Sequence, residues 1–281
     1  MKQFKIKSHA KLNLALNITG KTSSLHKIEG IVAFSSLHDE IFINTIKSKF
    51  HKILFIGKFS KNISKNNTVS KLLKILEKKK LLNNTKFEIT INKKIPDKAG
   101  LGGGSMNAAS VLKFFVKKKF IRISKKEIIK ISKKIGSDVF LGLNSVNSIF
   151  NEKSQIKYFY NNKKFYTLIV KPNFGCSTKE IYSNVRKLNK PKFNNPNSKM
   201  FNLNYLKKMS NSLEPIAFSK YTKLRRIKLY LENLSKPTFV RMTGSGSALV
   251  AYFHSKQRCD YAKKQFKKKF KNYWCITSKT I

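Results

Sequence analysis

The residues best suited to chemistry lie in one stretch, Asp97-Lys98-Ala99-Gly100-Leu101-Gly102-Gly103-Gly104-Ser105-Met106-Asn107-Ala108-Ala109. Four of the five residues from Gly100 to Gly104 are glycine, and the segment beyond them is helical in pattern, with Ala108, Val111, Leu112, Phe115 and Val116 at i, i+3, i+4, i+7 and i+8. Without Cβ atoms in the way, backbone N–H groups of such a loop can turn toward a ligand. The helix start adds unpaired donors and the positive end of a dipole. Together they form an anion cradle, and with Lys93, Lys94 and Lys98 just upstream its natural guest is a di- or triphosphate. The Gly-Lys-Ser/Thr ending of a Walker A loop is missing, and Asn107 stands at the third place after Gly102-x-Gly104, so the dinucleotide pattern Gly-x-Gly-x-x-Gly fails too. A plain strand-to-helix turn is the bland alternative; four glycines cost conformational entropy that a mere connector has no reason to bear.

A cradle for phosphate calls for a base, and the chain has only 13 Asp and Glu. Glu77, Glu127, Glu232 and Asp260 fall on polar helical faces. Asp138 differs, because it sits between Gly136-Ser137 and Val139-Phe140-Leu141, at a helix end entering apolar sequence where a carboxylate is partly buried. Taken alone, an N-cap or a structural hydrogen bond is the competing role for it. Lys11 interrupts Ala10-x-Leu12-x-Leu14 in a strand that also carries Asn13 and Asn17; it either decorates a basic surface or neutralises an anion. Cys176, Cys259 and Cys275 show no metal-ligand spacing, and an odd number cannot all pair within one chain, which fits a reduced compartment.

The elements that must position these groups alternate along the chain. Residues 3 to 19 alternate apolar and polar at period two, Thr19 to Ser24 breaks the run, and 28 to 46 and 52 to 59 return to strand composition. Val69, Leu72, Leu73 and Leu76 predict a helix over 68–82, followed by a strand over 87–92. Ser124-Lys125-Lys126-Glu127 is a capping-box sequence opening a helix to Ile135, and Ser177-Thr178-Lys179-Glu180 repeats that signature after a strand over 165–170. An Asn-rich loop over 189–198, helices over 204–218 and 220–233, strands over 238–242 and 248–253, a basic helix over 256–270 and a terminal strand complete the expectation. The fold class is α+β, and 281 residues at about 150 per domain give two domains, expected at 1–155 and 156–281.

The net charge is +47, from 60 Lys and Arg against 13 Asp and Glu, and at face value it points to a partner rich in phosphate. Only six of the basic residues are Arg, and the chain is also crowded with Asn, Ile and Phe, so biased genome composition produces the same pattern. The runs 77–80, 117–119 and 267–269 flank apolar helical stripes and read as solvated faces. A basic RNA-binding protein is the rival reading, but RNA binders interleave exposed aromatics with basic residues, whereas the Phe residues here fall at core-facing periods. No run approaches the ~18 apolar residues of a membrane span, and the N-terminus alternates like a strand rather than a signal peptide, so a soluble cytoplasmic protein without a membrane partner is expected.

Three separated segments together resemble the ordered motifs of the GHMP kinases: Ala10-Lys11-Leu12-Asn13-Leu14, with Ile18-Thr19-Gly20-Lys21 and His26 after it; the loop from Pro96 to Ala109; and Met242-Thr243-Gly244-Ser245-Gly246-Ser247-Ala248. The resemblance spans residues 8 to 253. It implies a two-domain kinase fold, with an N-terminal ribosomal-protein-like β/α domain and a C-terminal α/β sandwich domain. The activity it implies is transfer of the ATP γ-phosphoryl group to the 2-hydroxyl of 4-(cytidine 5′-diphospho)-2-C-methyl-D-erythritol, on the non-mevalonate route to isoprenoids; a GHMP kinase for another small alcohol is the alternative within the family. Asp138 would then take the hydroxyl proton, with Lys11 beside it. Gly100, Gly102, Gly103, Gly104 and Ser105 would hold the ATP phosphates, Asn67 and Lys93 would lie near the adenine, and Mg²⁺ would arrive with ATP rather than on a protein cage. Asn13, His26 and Tyr182, with Gly244, Ser245 and Gly246, would meet the acceptor, His26 facing the cytosine edge. Three positions depart from the family pattern: Leu25 replaces a stacking aromatic, Met106 a second serine, and Phe140 a proline.

Overall fold

Period-two alternation at the start of the chain builds two long strands, β1 (Phe4–Lys21) and β2 (His26–Ile46), which pair with each other. The computed structural model describes residues 3–23, 25–61, 63–160 and 164–281; Met1 and Lys2, at the alternating N-terminus ahead of the strand expected from residue 3, and Ser24, in the break after that strand, lie outside them. The chain gathers into two compact units. One comprises Met1–Ala10, Leu37–Asp97 and Gly102–Ser145, the other Lys11–Ser36, Lys98–Leu101 and Val146–Ile281. The units are interleaved in sequence because β1 and β2 are long enough to contribute to both.

In the first unit, β4 (Lys86–Asn92) lies antiparallel to the second half of β2, with Ile41 opposite Ile91 and Ile43 opposite Ile89, and β3 (Lys52–Ile56) runs parallel to β4. The apolar side of this sheet is covered by α1 (Thr68–Lys78), α2 (Gly103–Lys117) and α3 (Lys125–Ile135), and the short α4 (Ser137–Gly142) packs on α2 and α3. Ile41, Ile89, Leu72, Leu76, Val111, Phe115 and Ile131 are all fully buried there. At about 1.5–3 kcal/mol for each large apolar side chain removed from water, this layer holds the start of α2, and so the glycine loop, against the sheet.

The second unit is built on an antiparallel sheet in the order β10-β7-β9-β8, from β7 (Tyr166–Lys171), β8 (Phe239–Met242), β9 (Leu249–Phe253) and β10 (Trp274–Lys279). Helices α8 (Thr222–Glu232) and α9 (Lys256–Lys269) pack on it. The strands β5 (Ser148–Phe150) and β6 (Ile156–Tyr158) extend from the first half of β2, and α5 (Thr178–Ser183), α6 (Leu203–Lys208) and α7 (Glu214–Lys220) complete it.

Several expectations need correction. The helix over 68–82 ends at Lys78, because Lys80, Asn83 and Asn84 take positive φ and the chain turns there. The single helix over 204–218 is two, since residues 209–213 leave the helical path to pair with β1: Leu16 donates to Ser210 C=O and accepts from Ser212 N–H. The Arg241 guanidinium satisfies the carbonyls of Leu206 and Met209 at that break. Asp138 is not an N-cap, because Gly136 occupies that position and the carboxylate sits in the first turn of α4. The basic runs are exposed along 77–80, 117–119 and 267–269, as a solvated face requires.

Candidate active site

In the first unit the helix side of the glycine loop is preorganised. Gly102 is the N-cap of α2 in the left-handed region (φ 68°, ψ 13°), and no side chain caps the helix. A Cβ on Gly103 would lie 3.1 Å from Ile95 Cγ2 and 3.2 Å from Lys93 Nζ. One on Gly104 would lie 3.3 Å from Thr68 Oγ1, whose hydroxyl donates to Gly104 C=O at 2.6 Å. Glycine is needed at Gly102 for the backbone angle, and at Gly103 a side chain would press on Ile95 and Lys93. A Cβ on Gly136 would sit 4.0 Å from Ser105 Oγ, so the turn that leads into Asp138 adjoins the loop serine. Asp138 itself is half-buried. Met106, in place of a hydroxyl, is buried against Gly142, and Phe140 lies under the Lys133 ammonium, 5.7 Å from the ring centre.

Two of the three lysines upstream of the loop are ion-paired. Lys93 is buried and ion-paired with the fully buried Asp39. Lys94 pairs with Glu40 at 2.8 Å, and Lys5 reaches the same carboxylate at 2.7 Å; these two ammonium groups hold Glu40 down to about 2. Lys98, in the second unit, packs its chain against Gly175. Asn67 is the N-cap of α1: its Oδ1 accepts from Val69 and Ser70 N–H, both at 3.0 Å.

In the second unit the first half of the loop joins the other two motifs. Gly100 has φ +71°, and a Cβ there would fall 1.9 Å from Thr243 C=O. Lys11 N–H donates to Leu101 C=O at 3.0 Å, Ala248 N–H to Ala99 C=O at 3.1 Å, and Thr243 Oγ1 to Gly100 C=O at 3.1 Å. Asn13 completes the junction, its N–H donating to Thr243 Oγ1 at 3.0 Å and its Oδ1 accepting from Gly244 N–H at 3.1 Å. Asn211 holds the carbonyls of Met242 and Gly244 at 2.8 and 2.7 Å. The first half of the loop and the other two motifs thus form one hydrogen-bonded body in which Lys11 is 4% exposed, while Gly244 and Gly246 take positive φ and Ser245 bonds the Thr178 hydroxyl at 2.9 Å.

His26 and Tyr182 also meet in this unit, ring centres 5.4 Å apart. Burial, and then the Lys21 charge, push the His26 pKa below its ordinary value, so the imidazole is neutral at pH 7. Leu25 beside it is 70% exposed and leaves the Tyr182 ring as His26's aromatic neighbour. Sequence reasoning missed Asp39, Glu29 and Asn211. Glu29 is fully buried and accepts from Asn17 Nδ2 and Lys192 N–H, each at 2.7 Å, and from Phe193 N–H at 3.1 Å. A readable signal existed for Asp39 and Lys93: they continue the inward registers Leu37, Ile41, Ile43 and Phe87, Ile89, Ile91, Ile95 on neighbouring strands, where opposite charges must meet.

Among the described residues no group of three or more His, Cys, Asp or Glu is placed to hold a metal, and no helix is long and apolar enough to cross a membrane. Residues 67–150 match the family described as GHMP kinases N terminal domain. The chain is 59% identical to the 4-diphosphocytidyl-2-C-methyl-D-erythritol kinase of Pelagibacter ubique over 100% of both proteins. It is 32% identical to the protein of the same name from Clostridium tetani, over 99% of this chain and 100% of that one. A crystal structure of 4-(cytidine 5′-diphospho)-2C-methyl-D-erythritol kinase superposes with a TM-score of 0.80 at 21% identity, covering 98% of this chain and 99% of that one. Homoserine kinase from Cytophaga hutchinsonii gives 0.70 at 14% identity, covering 100% and 95%. At these identities the structural likeness is one of fold, an α+β architecture with two sheets.

Proposed function

This chain belongs to the 4-diphosphocytidyl-2-C-methyl-D-erythritol kinases, a branch of the GHMP kinases, and on that premise we propose how its residues move a phosphoryl group from ATP to the 2-hydroxyl of 4-(cytidine 5′-diphospho)-2-C-methyl-D-erythritol. The reaction is a step in isoprenoid precursor biosynthesis. One observation carries the assignment of the nucleotide: the start of α2 has no side-chain cap and is reached through a left-handed glycine. Its first N–H groups are donors without side-chain acceptors, the complement of phosphate oxygens.

Phosphoryl transfer asks mainly for positioning and for neutralisation of spread negative charge. Gly100, Gly102, Gly103, Gly104 and Ser105 are assigned to the ATP phosphates, and Asn67 and Lys93 to the adenine side. The loop offers N–H donors rather than oxygen ligands, so it fits phosphate and not a bare metal; Mg²⁺, which favours phosphate oxygens and water, is assigned to the bound nucleotide. Asp138 takes the proton of the 2-hydroxyl as its oxygen bonds to the γ-phosphorus; the bond to the bridging β–γ oxygen breaks and ADP leaves. Lys11 is assigned to neutralising the developing alkoxide. Asn13, His26, Tyr182 and the turn Gly244-Ser245-Gly246 are assigned to the cytidine diphosphate acceptor. A cytoplasmic enzyme is the setting in which both nucleotides are supplied.

A coupled ADP-release assay with the acceptor tests this reading. Asp138→Asn is expected to slow turnover by ~10²–10⁴ with ATP binding retained. An unchanged rate would remove Asp138 from the mechanism, and ADP release indifferent to the acceptor would remove the substrate.

A further inference from the structure

Asp39 and Lys93 form a buried, oppositely charged pair whose ammonium lies directly beneath the phosphate loop. Asp39 is 0% and Lys93 4% exposed. The carboxylate is held from three sides: it pairs with Lys93 Nζ through one oxygen, and through the other accepts from Lys94 N–H and Ile95 N–H, both at 2.8 Å. The backbone of Lys93 is also tied down, its N–H donating to Ile56 C=O at 2.8 Å and its C=O accepting from Phe59 N–H at 3.4 Å. The ammonium, paired with Asp39, lies 3.2 Å from the point where a Gly103 Cβ would be.

A full positive charge behind the N-terminus of a helix is unfavourable by itself, because the helix end is already positive. It is also costly to bury without a partner. Asp39 removes both objections and keeps the Lys93 ammonium beside the loop. Its two backbone bonds fix the 93–95 segment, including Ile95, whose methyl lies 3.1 Å from where a Gly103 Cβ would be. We propose that Asp39 is a positioning residue for the nucleotide half of the reaction: through Lys93 and the 93–95 turn it sets where the loop meets the nucleotide. The inference rests on the assignment of ATP to that loop.

The test measures ATP affinity directly, by titration without acceptor, and KM for each substrate in wild type, Asp39→Asn, Lys93→Met and the double variant, with circular dichroism reporting folding. Each single change is expected to raise the ATP Kd and KM at least tenfold, with the acceptor KM within about twofold. The double variant is expected to match the larger single effect, because two residues in one network are not additive. A merely structural Asp39 would lower Tm without this selective and non-additive loss, and that pattern in folded protein overturns the proposal. Should Asp39→Asn not fold with an unpaired ammonium, the double variant, whose interior is neutral, carries the test: ATP binding equal to wild type overturns the proposal, and a tenfold loss supports it. Wild-type protein that binds no ATP would instead overturn the assignment of the loop.

Discussion

A neutral imidazole in contact with an aromatic ring behaves differently from an imidazolium, and this makes His26 the residue whose role pH can interrogate. Its pKa lies below 6.5 because burial and the Lys21 charge both disfavour the cation. The acceptor KM is therefore expected to stay level from about pH 8 down to about 6.5 and to rise only at lower pH, once the ring nitrogen that accepts from the substrate is protonated. Stability tracks the same window. The unfolded chain protonates His26 first, so its contribution to stability declines as pH falls below 6.5 and levels off beneath the folded-state value. A KM profile unchanged in His26→Phe would detach this residue from the acceptor. The loop glycines make a second, graded test. Gly100→Ala forces a Cβ to within 1.9 Å of Thr243 C=O at a positive φ, so most ATP affinity should be lost. Gly104→Ala meets the Thr68 side chain, its hydroxyl at 3.3 Å, and should weaken ATP several-fold, which titration of the two variants separates.

Elements that hold the site but do not line it should affect stability alone. Ser124 caps α3 by accepting from Glu127 N–H at 3.2 Å, and Ser124→Ala is expected to cost about 1 kcal/mol with both KM values unchanged, read by denaturant unfolding beside the kinase assay. That cap was legible in four residues of sequence, as was the start of α2, because both rest on local spacing and local hydrogen bonds. The reciprocal half of the expected capping box is not used: Glu127 turns to Lys79 at 2.6 Å instead of back to its own cap. What the sequence hid was decided by distant partners. The break between α6 and α7 exists because Leu16 pairs with residues 210 and 212, and no local propensity reports a strand nearly two hundred positions away. The strands β5 and β6 are too short to show a period. Glu29 escaped notice for the same reason, since its partners at 192 and 193 lie in a loop that composition reads only as polar surface. The three kinase motifs were readable one by one, and Asn13 and Asn211, which bind two of them into one body, act through long-range backbone contacts.

At the scale of the whole molecule the unexplained quantity is the net charge of +47. Lysine supplies nearly all of it, as compact, strongly hydrated charges on solvated helix faces rather than as the rigid forks with which arginine grips phosphate. Such a field recruits anions without binding them at fixed positions. Both substrates of the proposed reaction carry phosphate chains, so the field should act on their encounter with the protein and not on the chemical step. It should also fade as the screening length shrinks from about 10 Å at 0.1 M salt toward about 3 Å at 1 M. The expected result is a kcat/KM for the acceptor that falls several-fold between about 0.05 M and about 0.5 M KCl while kcat stays constant, with Tm rising over the same range as like charges cease to repel. A kcat that fell in step with kcat/KM would assign the salt effect to the site, to the Lys93–Asp39 pair or to Lys11, and would leave the surface charge without a part in catalysis.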